Sequence, residues 1–254
     1  SIGHHLMLAA LPFPDISPVS FAYDVPAWTF AIGGRDITLG GFELAIRWYA
    51  LAYIVGILFA RWVIKRVIQM PRLWANDRAA LTVEQLEDLM TWMIIGIIAG
   101  GRLGYVLFYQ PAHYLAHPIE VLYITDGGMS FHGGFLGVVA ACIYFCRTRS
   151  IAIAPIADII AATAPMGLLL GRLANFINGE LWGRETDVPW AVVFPGDYAQ
   201  NCAHAFIGEC ARHPSQLYEA AGEGLILGAV LLWMLFRRDA LKRSWLLTGV
   251  FLVG

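Results

Sequence analysis

An all-α, polytopic membrane helix bundle with an extracytoplasmic loop domain is the fold class this sequence predicts, on three observations. The 254 residues are 58% hydrophobic and only 14% charged, with a mean hydropathy of +0.62, too apolar for an ordinary soluble domain of this size. Apolar runs recur near the length of about 20 residues that a helix needs to cross a bilayer. The cations between those runs alternate in density along the chain. The net charge of -2 carries little information by itself, and nucleic acid is not expected as a partner.

Residues 1–42 form the expected extracytoplasmic N-terminal segment. Pro12, Pro14, Pro18 and Pro26 break it, and no basic stretch leads into an apolar core, so no cleavable signal peptide is read there. The bundle is expected over 43–254, with helical runs at about 43–63, 89–109, 131–146, 151–177 and 215–236 and a sixth beginning near Trp245. The run 131–146 is short, which predicts a helix that starts earlier or lies in a thinned region. The sixth run stops at Gly254 after about ten residues, too few to cross, so the C-terminal end is expected to be missing. Thr82 to Asp88 reads as a capped helix start. Gly96, Gly100 and Gly104 recur every four residues on one face, a pattern that suits close helix packing.

Orientation follows from the cations. Lys65, Arg66, Arg72, Arg78, Arg147, Arg149, Arg237, Arg238, Lys242 and Arg243 fall on one side, and only Arg35, Arg184 and Arg212 on the other. The first group is therefore cytoplasmic, which leaves the N-terminus, 110–130 and the long loop 178–214 outside.

The most informative polar cluster lies where an apolar run gives way to that loop: Gly171-Arg172-Leu173-Ala174-Asn175-Phe176-Ile177-Asn178-Gly179-Glu180-Leu181-Trp182-Gly183. An arginine and two amides at the mouth of a span cost free energy, and chains that keep them usually have a polar ligand or pathway there. Arg172 suits a phosphate, which guanidinium holds through two parallel charge-assisted hydrogen bonds; the alternative is an arginine that snorkels or pairs with a structural carboxylate. Asp158 is close to four turns earlier, too deep to pair with Arg172, and is read as structural support for Arg102 or another polar group. Tyr49, Asn175 and Asn178 offer neutral hydrogen bonds for a polar ligand, and Glu180 is read as orienting Arg172 or Arg184; each could instead be a structural hydrogen bond at the mouth of the bundle.

His132 precedes Gly133 and Gly134, whose missing side chains would let a lipid or peptide backbone approach the imidazole. A neutral histidine can serve as a general base, or it can merely cap its helix. His213, Tyr218, Glu219 and Glu223 form a further polar group at the outer start of a span, with His213 and Glu219 read as structural support. No His-Glu-x-x-His or paired-cysteine spacing appears, so neither metal nor any other cofactor is expected; His4 and His5 read as a tail feature. Cys142 and Cys146 are read as small core hydrophobes, and Cys202 and Cys210 as a possible disulfide in the outer loop.

The run from Gly171 to Gly183, together with Gly127-Gly128-Met129-Ser130-Phe131-His132-Gly133-Gly134, Gly100-Gly101-Arg102-Leu103-Gly104-Tyr105 and His213-Pro214-Ser215-Gln216-Leu217-Tyr218-Glu219, resembles the bacterial prolipoprotein diacylglyceryl transferases. Arg47-Trp48-Tyr49 and Pro189-Trp190-Ala191-Val192-Val193-Phe194-Pro195 match as well. The resemblance covers about residue 43 onward and departs from the family pattern at Ala174, where glycine is usual. It implies a multi-pass enzyme of the bacterial inner membrane, with about seven transmembrane helices in the full protein and its active site toward the extracytoplasmic side. That enzyme moves the diacylglyceryl group of phosphatidylglycerol onto the lipobox cysteine of a prolipoprotein, with His132 and Arg172 as catalytic residues. The rival reading is a lipid transporter or flippase with arginines along its pathway, but the paired half-repeats such proteins often show are not visible.

Overall fold

A computed structural model describes residues 10–17, 19–32, 35–39, 42–122, 130–202 and 209–254. His4, His5 and Gly127-Gly128-Met129 lie outside the described residues. The described chain is mostly helical and divides into two units, Ser1–Gly56 with Pro165–Gly228 and Ile57–Ala164 with Ala229–Gly254.

The first unit corrects the all-α expectation. Its N-terminal part forms β2 (Val19–Val25) paired antiparallel with β5 (Phe42–Arg47), and β3 (Trp28–Ile32) paired antiparallel with β4 (Arg35–Leu39). These strands are rich in aromatic and β-branched residues, which favour a pleated surface, and the hydroxyls of the facing pair Thr29 and Thr38 lie 3.0 Å apart. A third, parallel pair joins β1 (Leu11–Pro12) to β6 (Val192–Val193) and so ties the N-terminal segment to the outer loop. Because β5 runs through Arg47, helix α1 (Trp48–Ile68) begins later and ends later than the run read at 43–63.

The second half of α5 (Ile153–Ile177) is the backbone of this unit. Gly56 of α1 approaches it so closely that an added Cβ would sit 3.4 Å from the Gly167 Cα. The helix Ser215–Arg237 also packs against it, built as α6 (Ser215–Glu219), a π-helical stretch Ala220–Ile226, and α7 (Leu227–Arg237). An added Cβ at Gly224 would fall 2.5 Å from Leu169 Cβ, and one at Gly228 would fall 3.1 Å from Pro165 Cβ. Glycine at these contacts lets the two backbones come together, and this approach brings the start of α6 beside the last turns of α5.

In the second unit, α2 (Val83–Tyr109) starts at the capped site the sequence predicts: Thr82 Oγ1 accepts from Gln85 N at 3.1 Å and Gln85 Oε1 accepts from Thr82 N at 2.9 Å. Gly96, Gly100 and Gly104 face α4 (Phe131–Thr148) at Gly133 and Gly137; a Cβ on Gly137 would lie 1.9 Å from the Gly96 carbonyl oxygen. Helix α4 does not begin earlier than the apolar run, since Ser130 is its N-cap and accepts from Gly133 N at 3.2 Å; it extends two residues further, to Thr148. Cys142 and Cys146 are buried, free thiols in that helix.

Asp158 is fully buried and has the structural role expected of it, with a polar group other than Arg102 as its partner. Its carboxylate accepts from Trp245 N at 3.0 Å, from Thr248 N at 2.9 Å and from Thr248 Oγ1 at 2.6 Å, so it caps the start of α8 (Leu246–Val253) and not Arg102. A carboxylate at a helix N-terminus satisfies orphan N–H groups and meets the positive end of the dipole. Among the described residues, four helices are long and apolar enough to cross a membrane: Val83–Tyr109, Phe131–Thr148, Ile153–Ile177 and Ser215–Arg237. Helix α1, with Arg61, Lys65 and Arg66 toward its end, and the eight-residue α8 are not among them.

Candidate active site

In the first unit, α5 ends in a turn that organises the polar residues after it. Gly179, with φ +68°, takes the left-handed conformation; its N–H donates to Phe176 O at 3.0 Å and Glu180 N donates to Asn175 O at 2.9 Å. These two bonds make a Schellman motif, which glycine enters without a Cβ penalty. The chain thereby doubles back, and the Glu180 side chain returns toward the helix it has left. Tyr49 donates to Glu180 Oε2 at 2.8 Å and Asn175 Nδ2 reaches the same oxygen at 3.4 Å. Gln216, fully buried on α6, donates to the Glu180 carbonyl oxygen.

Arg172 stands one turn before Asn175 on α5 and pairs with Glu219 at 2.7 Å, across the contact made by Gly224 and Leu169. Of the two arginines expected as partners of Glu180, Arg172 is held by Glu219 instead, while Glu180 Oε2 accepts from Tyr49. The physical reason is the helix approach, which the sequence order of the motifs does not display. With one Nη2 on Glu219, the rest of the guanidinium fork is geometrically able to meet an anion. Asn178 is half-buried, its backbone N–H spent on Ala174 O at 3.0 Å, while Ala174 is buried in the helix.

The outer loop is held by two residues that sequence reasoning passed over. Arg212 is buried, with Nε donating to Ala199 O at 2.7 Å, Nη1 to Gly183 O at 3.3 Å and Nη2 to Asn201 O at 3.2 Å, and its guanidinium lies 4.2 Å from the Trp182 ring centroid. Gly183 has no room for a side chain, since an added Cβ would fall 2.3 Å from Ser215 Oγ and 2.9 Å from the His213 carbonyl oxygen. Its place at the end of the motif was the available signal. Beneath them, Val192, Phe194 and Ala199 pack with Phe13, Phe176 and Trp182. Cys202 and Cys210 are joined as a disulfide, with Cα atoms 6.6 Å apart.

His213 belongs to a chain of polar side chains in this loop. Trp190 Nε1 donates to Tyr218 Oη at 2.6 Å, and Tyr218 Oη and His213 Nδ1 share a hydrogen bond at 2.9 Å. Tyr218 directly precedes Glu219, and the chain thus fixes the residue next to Arg172's partner.

The second unit carries His132, Gly133, Gly134 and Arg102. His132 is exposed at the first turn of α4, with the Phe131 ring at 5.7 Å and nearly perpendicular. Gly133 does not open a path to a ligand: the space its side chain would occupy is filled by the Gly100 carbonyl oxygen, 2.2 Å from an added Cβ, so its smallness serves α2. Gly134 is less crowded, with Ile97 O at 3.7 Å. Arg102 is buried on α2, where Nε donates to Val121 O at 2.9 Å and Nη2 to Glu120 O at 2.7 Å, with the Tyr114 ring centroid 5.2 Å from the guanidinium.

Helices of membrane-spanning length, with an arginine–glutamate pair and an amide-rich turn at the ends of two of them, define a multi-pass helical membrane protein with a polar site suited to an anionic group. Residues 37–254 match the prolipoprotein diacylglyceryl transferase family, and the chain belongs to it. It is 53% identical over 248 residues to the phosphatidylglycerol--prolipoprotein diacylglyceryl transferase of Roseobacter denitrificans, a match covering 98% of this chain and 79% of that protein. The similarly named protein of a Cereibacter sphaeroides strain is 53% identical, covering 97% and 79%, and that of Sinorhizobium medicae 48%, covering 97% and 78%.

Proposed function

We propose that this protein transfers the diacylglyceryl group of phosphatidylglycerol to the lipobox cysteine thiol of prolipoproteins, the first step of lipoprotein maturation. Family membership and the names of its relatives support the reaction, and the Arg172–Glu219 pair is the observation that carries the chemistry. His132 takes the thiol proton, and the thiolate attacks the glyceryl carbon that bears the phosphate. One S–C bond forms as the C–O bond to phosphate breaks, leaving a thioether and glycerol-1-phosphate. Arg172, held by Glu219, meets the charge that gathers on the departing phosphate. Tyr49, Asn175, Asn178 and Glu180 hold the glycerol and ester groups through hydrogen bonds. Nothing in these steps calls for a cofactor.

The bacterial inner membrane, a bundle of about seven spans, and an active site on the extracytoplasmic side with 1–42 and 178–214 outside are the reading that the cation distribution and the family support. Purified protein in vesicles with radiolabelled phosphatidylglycerol and a lipobox peptide tests the function. Label covalently attached to peptide is the expected result; lipid movement between leaflets without attachment contradicts it and favours a flippase.

A further inference from the structure

The described residues bring together one group of metal-ligating side chains, and nothing in the transfer chemistry uses it. His113 and His117 stand four apart, at the short helix α3 (Pro111–Ala116) and its C-cap, a spacing that puts both rings on one face; their centroids lie 4.9 Å apart, nearly parallel. Glu120 follows in the 3-10 turn Pro118–Leu122, its Oε2 2.5 Å from His113 Nε2. One ligand atom from each of the three lies within 4.8 Å of the others.

Two further features separate this trio from a chance surface ion pair. His117 Nδ1 lies 3.2 Å from the His113 carbonyl oxygen, which makes Nδ1 the protonated nitrogen and turns the lone pair of Nε2 outward as a ligand. The turn that carries Glu120 is itself pinned from below, because buried Arg102 donates to the carbonyl oxygens of Glu120 and Val121. The third ligand therefore sits on backbone anchored to α2.

We propose that His113, His117 and Glu120 hold a divalent transition-metal ion of the zinc class, which clips α3 to the turn gripped by Arg102. Two neutral imidazoles and one carboxylate match the donor set Zn2+ takes at about 2.0–2.2 Å, and three protein ligands leave one position for water. Mg2+ and Ca2+ prefer an all-oxygen shell and are excluded by the two imidazoles. His113 and Glu120, in direct contact, must part slightly to admit the ion, and both side chains are exposed enough to do so.

The test uses purified protein in detergent, stripped with chelator, with His4 and His5 replaced by alanine so that the N-terminal pair cannot contribute. Titration calorimetry with Zn2+ should show one equivalent bound, Mg2+ none, and a Tm that rises with Zn2+. His113→Ala/His117→Ala should abolish the binding and the Tm response, and Glu120→Gln should weaken binding about tenfold or more. Because lost binding could also follow from misfolding, X-ray data collected at the zinc edge from crystals of the unsubstituted protein provide an independent readout, with an anomalous peak expected between the three side chains. No binding, binding unchanged in the double variant, or an anomalous peak elsewhere overturns the proposal.

Discussion

Arg172 Nη2 lies 2.7 Å from Glu219 Oε2, and this pair joins the last turns of α5 to the end of α6. Both side chains are partly exposed, at 29% and 35%, so the pair contributes at most about 1 kcal/mol to stability. Its value is orientation: a guanidinium anchored through one nitrogen presents the remainder of its fork in a fixed plane.

Replacing Arg172 with lysine keeps the charge and loses the fork. Transfer should fall about 100-fold or more in kcat/KM, in line with removal of one stabilising donor from a developing anion. Steady-state assays of a variant with unchanged Tm check this, and near-normal turnover would remove Arg172 from the phosphate.

Glu219→Gln removes the anchor but leaves the arginine. The expected outcome is a Tm within a few degrees of normal with kcat reduced about tenfold, a smaller loss than for Arg172→Lys because the charge at Arg172 remains. Equal losses in the two variants would show that Glu219 does more than orient.

His132 is exposed at the first turn of α4, a position from which an imidazole can exchange protons. His132→Gln should bind lipid normally and transfer slowly, with activity rising as pH approaches the reference thiol pKa of about 8.5. The sign follows from the nucleophile, which ionises without help as pH rises, while the unsubstituted enzyme depends on the base instead. Lipid binding measured by fluorescence quenching and rates measured across pH separate the two effects; weakened lipid binding or a flat pH response would make His132 structural.

Gly183→Ala is expected to fail for a steric reason. The new methyl would fall 2.3 Å from Ser215 Oγ and 2.9 Å from His213 Cβ, so the outer loop must move away from α6 at a cost of about 1–3 kcal/mol. Thermal unfolding should report the loss and transfer should drop with it. A variant with unchanged Tm and activity would mean the loop tolerates the shift.

Motif residues were legible in the sequence where chemistry and position coincide. Arg172, Asn175 and Glu180 announce themselves as polar groups at the end of an apolar run, and Thr82 with Gln85 announces a helix start. Partners were not legible, because they depend on how helices meet: Glu219 reaches Arg172 only through the close approach at Gly224, and Asp158 reaches the start of α8 far along the chain. Gly133 misled for the same reason, since a glycine that admits a neighbouring helix and one that admits a ligand look alike in sequence. The strands between Val19 and Arg47 are not legible because prolines interrupt a segment whose aromatic and β-branched residues favour pairing.

In the proposed reaction the thiolate displaces phosphate from the glyceryl carbon while Arg172 meets the departing charge. Phosphorus NMR of a reaction containing purified protein, phosphatidylglycerol and a lipobox peptide measures this directly. One glycerol-1-phosphate should be released for each thioether formed, both falling together in Arg172→Lys. Lipidated peptide that retains phosphorus, or thioether formed without glycerol-1-phosphate, would contradict it.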